Sequence, residues 1–194
     1  MKFLPVAALA LFAAAPALAA QVTIDFEAAP SFASVGDTYA ASGVRFGGGA
    51  LGLQNDAWST FFTNAPSPLG VMFAADTDSA MNVASGFSGL FSFSYSSIAA
   101  ATGALTVWSG LNGTGTALAS FDLAGNAANC TDIGWCSFDQ LSANLSGIAY
   151  SVTFNGDASI AYDDLAFNTV PEPTSALLFG LGLAGLAAAR RRRS

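Results

Sequence analysis

Histidine is missing from all 194 residues of this chain. No Ser-His-Asp or Cys-His catalytic set can be built, and no imidazole is available as a metal ligand. Cysteine occurs twice, too seldom for a four-cysteine zinc site or an iron–sulfur cluster. Positive charge is nearly absent from the middle of the chain. Lys2 stands at the N-terminus, and Arg190, Arg191, Arg192 and Arg193 stand at the end. Arg45 alone lies between them. Residues 21–169 set twelve acids against that one base, a net charge of −11. Binding nucleic acid needs a basic footprint, so nucleic acid is excluded as a partner.

What is present begins at the two ends. Lys2 leads an apolar run over residues 3–15. Pro16 then breaks the helix ahead of the small-x-small site Ala17-Leu18-Ala19. Residues 1–19 therefore read as a secretory signal peptide, cut after Ala19 or, alternatively, after Ala20. A permanent N-terminal anchor would need a longer run with different flanks. At the other end, Val170-Pro171-Glu172-Pro173 precedes an apolar stretch, residues 174–189, closed by Arg190 to Arg193. As a helix that stretch spans roughly 24 Å, against a hydrocarbon core of roughly 30 Å. It suffices for transient insertion into the inner membrane, with the arginines left on the cytoplasmic side. The two prolines present an extended, protease-accessible segment before it.

This order of proline motif, short apolar helix and arginine cluster resembles the PEP-CTERM sorting signal, over residues 170–194. The resemblance implies that Pro171, Glu172 and Pro173 are recognised by an exosortase, which removes the tail. It further implies a Gram-negative-type bacterium that makes exopolysaccharide, export through the inner membrane, and residence at the cell surface or in the extracellular matrix. The plainer alternative is an ordinary single-pass tail anchor.

Residues 20–169 are long enough for one domain with a sizeable core. No long helical periodicity occurs there. Short alternating runs are split by Gly, Ser, Asn and Asp. Val22, Ile24 and Phe26 share one face of a first strand. Further strands are expected at Val44 to Phe46, Gly70 to Ala74, Leu90 to Ser96 and Leu105 to Trp108. Others are expected at Ala117 to Leu123, Ala149 to Phe154 and Ser159 to Phe167. In Phe91-Ser92-Phe93-Ser94-Tyr95 the aromatics take one face and the serines the other. The fold class expected is all-β, a single jelly-roll-like antiparallel β-sandwich. The segments Met81-Asn82-Val83, Trp108 to Gly115 and Tyr162 to Phe167 also resemble domains found in PEP-CTERM proteins. That likeness implies a jelly-roll sandwich and no particular activity.

Several residues are candidates for chemistry. Cys130 and Cys136 lie in an exported chain, so a disulfide is the default. A redox pair usually has closer spacing, and a metal pair would need two more ligands. The bridge is expected to hold out Trp135. Asp25, Glu27, Asp163 and Asp164 sit in the first and last strands, which often pair in jelly rolls. Together they are a candidate structural calcium site. Asp163 has the parity of Leu165 and Phe167, so it should face the core and needs a partner, either a cation or backbone amides. Asp76-Thr77-Asp78 starts like a calcium loop but lacks the rest, and reads as a polar turn. No spacing of carboxylates nominates a glycosidase pair. Trp58, Phe61 and Phe62, in the loop-like stretch Asn55 to Pro68, and Trp135 are candidate glycan-binding aromatics or end caps of the sandwich. The expected function is a non-catalytic surface or matrix protein associated with exopolysaccharide. The alternatives are a carbohydrate-binding module and, more distantly, a glycan-active enzyme.

Overall fold

Alternating runs become antiparallel strands because each can bury one face. In the computed structural model, residues 19–131 and 133–170 are described, with glycines 180, 182 and 185 of the tail. The strands are β1 (Gln21–Ile24), β2 (Val44–Phe46), β3 (Ala50–Gln54), β4 (Gly70–Ala74) and β5 (Met81–Ser97). They continue as β6 (Ala101–Trp108), β7 (Ala117–Leu123), β8 (Asp139–Phe154) and β9 (Ile160–Thr169). A single 3-10 turn, Ala40–Ser42, precedes β2. The chain divides into two units. One is Ala19–Val170. The other comprises Met1–Leu18 and Pro171–Ser194, of which only the three glycines are described, with helical backbone. The expected signal peptide and membrane stretch thus lie outside the described residues. Among those described, no helix is long and apolar enough to cross a membrane.

The pairings run in the order β3-β4-β9-β5-β8-β6-β7, with β1 added to β9 and β2 to β5. The sheet is one continuous hydrogen-bonded surface, yet it folds over itself into a sandwich. Phe93 of β5 meets Phe121 of β7 edge-on, with ring centroids 5.0 Å apart. Three strand spacings separate β5 from β7 along the sheet, roughly 14 Å if it were flat. The Tyr162 hydroxyl of β9 likewise donates to the Ala104 carbonyl of β6. The long strands β5 and β8 carry the bend. Their register shifts between Asn82 and Phe87 and again between Phe87 and Gly89. Gly86 has φ +77°, and a Cβ there would lie 2.7 Å from Ile148 Cγ2. Only glycine turns this corner without strain.

The main core draws on all nine strands, including Ile24, Phe46, Met72, Phe87, Phe91, Phe93, Leu105, Phe121, Phe154 and Leu165. Its described members all lie within Ala19–Val170, a compact unit with a core of its own. A second, smaller cluster joins Leu53, Phe62, Val71 and Ala161. Phe61, Trp135 and Phe138 pack against it. The stretch between β3 and β4 and the cysteine loop therefore cover a face of the β3-β4-β9 region.

Three expectations need correction. The first strand ends at Ile24, because Phe26 takes φ +55° and turns the chain inward. The strand β3 and the leading half of β8 are additional to the strands expected, although Leu141, Ala143 and Leu145 of β8 alternate with polar residues and pack on the main core. Asp163 does not share a face with Leu165. Asp164 has φ +46°, and the register jumps from Ser94↔Asp163 to Ser92↔Ala166. That bulge breaks the parity. Tyr162 and Leu165 both reach the main core, while Asp163 turns to the other face beside Ala161.

Candidate functional site

The first and last strands pair as expected, with Gln21↔Asn168 through Ile24↔Leu165. Around their ends the acids gather on the segment Ser67 to Gly70. Asp163 is completely buried. Its Oδ2 accepts the Ser67 N–H at 2.8 Å, and its Oδ1 accepts the Asp164 N–H at 2.8 Å. Asp164 Oδ1 accepts the Ser67 hydroxyl at 2.8 Å. Glu27 Oε1 accepts the N–H groups of Leu69 and Gly70, at 2.8 and 3.0 Å. Asp25 turns elsewhere, to the Glu27 N–H at 3.2 Å and the Tyr39 hydroxyl at 3.5 Å. Burial pushes the Asp163 carboxyl up to about 8, the two N–H donors hold it back, and Asp164 and Glu27 repel its charge. The partner that Asp163 needs is supplied by backbone amides. Among the described residues no three His, Cys, Asp or Glu side chains are arranged to hold a metal ion. Asp76 and Asp78 form a turn, with the Asp78 N–H on Asp76 Oδ1 and the Gly48 N–H on Asp78 Oδ2.

The four loop aromatics separate sharply. Phe62 is 1% exposed, at the centre of the second cluster. Trp135 is half-buried, and its indole N–H donates to the Ser159 carbonyl at 2.9 Å. Phe61 packs against the cluster and stacks edge-on with Phe32, centroids 5.3 Å apart. Cys130 and Cys136 are bridged. The bridged loop does not hold Trp135 out. It lays it down, with the Thr63 N–H on the Trp135 carbonyl and Asn64 Nδ2 on the Cys136 carbonyl. Trp58 alone is presented to solvent, 93% exposed. Asp56 Oδ1 accepts the N–H groups of Trp58 and Ser59, both at 2.7 Å, so the turn beneath the indole is tied down. Asn55 ties the rest of the loop, accepting from Phe61 N–H at 2.7 Å and donating to the Phe62 carbonyl at 2.9 Å. Neither Ser67 nor Asn55 stood out beforehand, because a serine or asparagine in a loop carries no periodicity.

The two ends of the domain lie side by side. The Thr169 N–H and hydroxyl both reach the Ala20 carbonyl, at 2.9 and 3.1 Å. Val170 follows at once, its N–H on the Gly86 carbonyl at 3.1 Å. Pro171, Glu172, Pro173 and Arg190 to Arg193 lie outside the described residues. Their sequence nonetheless matches a known pattern: the model of the PEP-CTERM protein-sorting motif fits residues 169–193.

The tail is a PEP-CTERM sorting motif.

A PEP-CTERM tail marks a protein for exosortase and for export to the surface or exterior of a Gram-negative cell. A search of curated proteins finds no match. Among solved structures, the sandwich is similar to the K2 cleaved adhesin domain of Lys-gingipain. That match has 13% identity and a TM-score of 0.50, covering 76% of this chain and 99% of that one. A family 29 carbohydrate-binding module from Piromyces equi matches at 11% identity and TM-score 0.43, over 78% of this chain and 91% of that one. A carbohydrate-binding module of Cellvibrio mixtus lichenase 5A, in complex with cellotriose, matches at 13% and 0.39, over 78% and 98%. At such identities the adhesin likeness is one of fold.

Proposed function

We propose that this PEP-CTERM protein is a non-catalytic component of the cell surface or extracellular matrix, processed by exosortase and associated with exopolysaccharide. The observation that carries the reading is the junction at Thr169. The last strand of the sandwich runs directly into the sorting motif, so the sandwich is the cargo that the motif delivers. Removal of the tail leaves a disulfide-bridged β-domain of strongly negative charge, suited to an exported, hydrated matrix. The test is co-sedimentation of residues 20–170 with the producing cell's purified exopolysaccharide, with calcium and with chelator. Saturable retention is expected. Absence of retention in both conditions refutes the association. Loss of retention with chelator alone would favour calcium at the contact.

A second reading is favoured by Trp58. A tied-down, fully presented indole is a stacking surface for a sugar ring, with an apolar face and a polar N–H on one side chain. In this reading the domain is a carbohydrate-binding module. Trp58→Ala then abolishes glycan retention with an unchanged melting temperature. Retention equal to wild type would leave only the matrix reading.

A further inference from the structure

We infer a carboxylate-binding groove beside β2, suited to an isolated uronate on an otherwise neutral saccharide; this deepens the exopolysaccharide reading and rests on it. The loop of residues 109–116 folds back from β6 over β8. The Ser151 hydroxyl donates to the Gly110 carbonyl at 2.6 Å and accepts the Gly113 N–H at 2.9 Å. This brings Asn112 onto Asn82 of β5. Between that loop and the 3-10 turn Ala40–Ser42 lies an open groove of about 370 Å³. Gly43, Arg45, Asn82, Ala84, Leu111 and Asn112 line it. Arg45 and Asn82 are cross-strand partners, so the guanidinium and the amide issue from neighbouring positions.

The hydrogen bonds determine what this groove can take. The Asn112 N–H donates to Asn82 Oδ1 at 2.8 Å. A backbone N–H only donates, so it settles which Asn82 atom is oxygen. Asn82 Nδ2 then donates to Asn112 Oδ1 at 2.9 Å, and the second amide is settled too. Each amide oxygen already accepts one hydrogen bond. The free donors here are Asn112 Nδ2, a second N–H on Asn82, and the Arg45 N–H groups not turned to Asp37. A fitting ligand brings acceptor oxygens, and the guanidinium fork matches a carboxylate best. Arg45 already meets Asp37, but both side chains are largely exposed, and such a pair yields to a competing carboxylate. Leu111, 41% exposed, offers apolar surface to the C–H face of a sugar. Arg45 is the sole base among twelve acids in residues 21–169. A densely charged polyanion is therefore repelled, whereas one carboxylate on a neutral chain meets mainly Arg45 and Asp37.

Calorimetry on residues 20–170 tests this with three probes: a xylo-oligosaccharide bearing one glucuronate, its carboxyl-reduced counterpart, and polygalacturonate. The glucuronate probe is expected to bind at least tenfold more tightly than the reduced one, and more tightly per site than polygalacturonate. Arg45→Gln and Asn112→Asp should each remove the difference. Arg45 is exposed, and aspartate tolerates the φ of +54° at position 112, so both variants should fold. Equal binding of the acid and reduced probes, no binding, or variants that bind as wild type overturns the groove. So does equally tight binding of polyglutamate, which would make the ligand a peptide. Undiminished retention of Arg45→Gln on exopolysaccharide refutes the groove alone. Failure of the wild type to be retained at all refutes the association itself.

Discussion

Raising the pH should destabilise the sandwich through a single carboxyl group. Asp163 is fully buried under the segment that joins β3 to β4, with Ser67 and Asp164 N–H groups on its two oxygens. Desolvation, with repulsion from Asp164 and Glu27, lifts its pKa from 3.8 to about 8. The unfolded chain titrates this group near 3.8. Below that pH both states hold the proton, and the contribution to stability is fully present. Between 3.8 and about 8 the folded chain keeps a proton that the unfolded chain has lost. Stability therefore falls as pH rises through that window, by up to about 1.4 kcal/mol per pH unit for one proton. Above it, no further loss arises from this group. The assay is urea unfolding followed by tryptophan fluorescence at pH 5, 6, 7 and 8, on wild type and Asp163→Asn. The amide keeps the shape but turns an NH₂ toward one of the two N–H donors, which costs about 1–3 kcal/mol at low pH. Its curve should then run flatter, meeting or crossing wild type near the top of the range. Parallel curves for the two proteins would refute the reasoning, because the pH dependence would then belong to other groups.

Other expectations concern the packing. Gly86→Ala should cost about 2 kcal/mol or more, since its φ is positive and the new methyl strikes Ile148; an unchanged urea midpoint would mean the corner relaxes freely. Phe62→Ala should destabilise by about 3–5 kcal/mol while Trp58→Ala stays within about 0.5 kcal/mol, and similar midpoints for the pair would contradict the burial difference. Replacing Cys130 and Cys136 together by serine should lower stability by about 2 kcal/mol in the chain-entropy picture, readable by denaturation in non-reducing conditions. N-terminal sequencing of the exported protein should begin at Ala20, because Ala17-Leu18-Ala19 is the small-x-small site; a start at Gln21 would contradict that reading and would also remove the two hydrogen bonds that Thr169 makes to the Ala20 carbonyl.

Much of the fold was legible because the strands bury one face. Phe91, Phe93 and Tyr95 all enter the main core, as their alternation with serine implied. The pairing of β1 with β9 was likewise anticipated. The leading half of β8 was not, although Leu141, Ala143 and Leu145 alternate with Gln140, Ser142 and Asn144 and pack on the main core; its small and polar residues make a weak apolar signal. Nor was β3, whose five residues include Gly52. The candidate sites were less legible still. Four loop aromatics looked alike on paper, yet Phe62 is buried and Trp58 is bare. Nothing local distinguishes them. The difference is that Phe62 pairs with Trp135 across a bridge set by the cysteine loop, some seventy residues on.

The amino-acid sequence by itself determined the address and the class of fold. Export and sorting signals are read as linear segments by other machinery, so charge, apolar length and proline placement suffice. Strand alternation is local too, since side chains point to opposite faces at every second residue. Tertiary structure alone decided which residues matter on the surface. The bulge at Asp164 turned Asp163 away from the main core and onto Ser67. The loop of residues 109–116 set Asn112 against Asn82, and both line one groove with Arg45. Such outcomes depend on contacts between distant segments, where one residue of register or one bulge reverses which face a side chain takes.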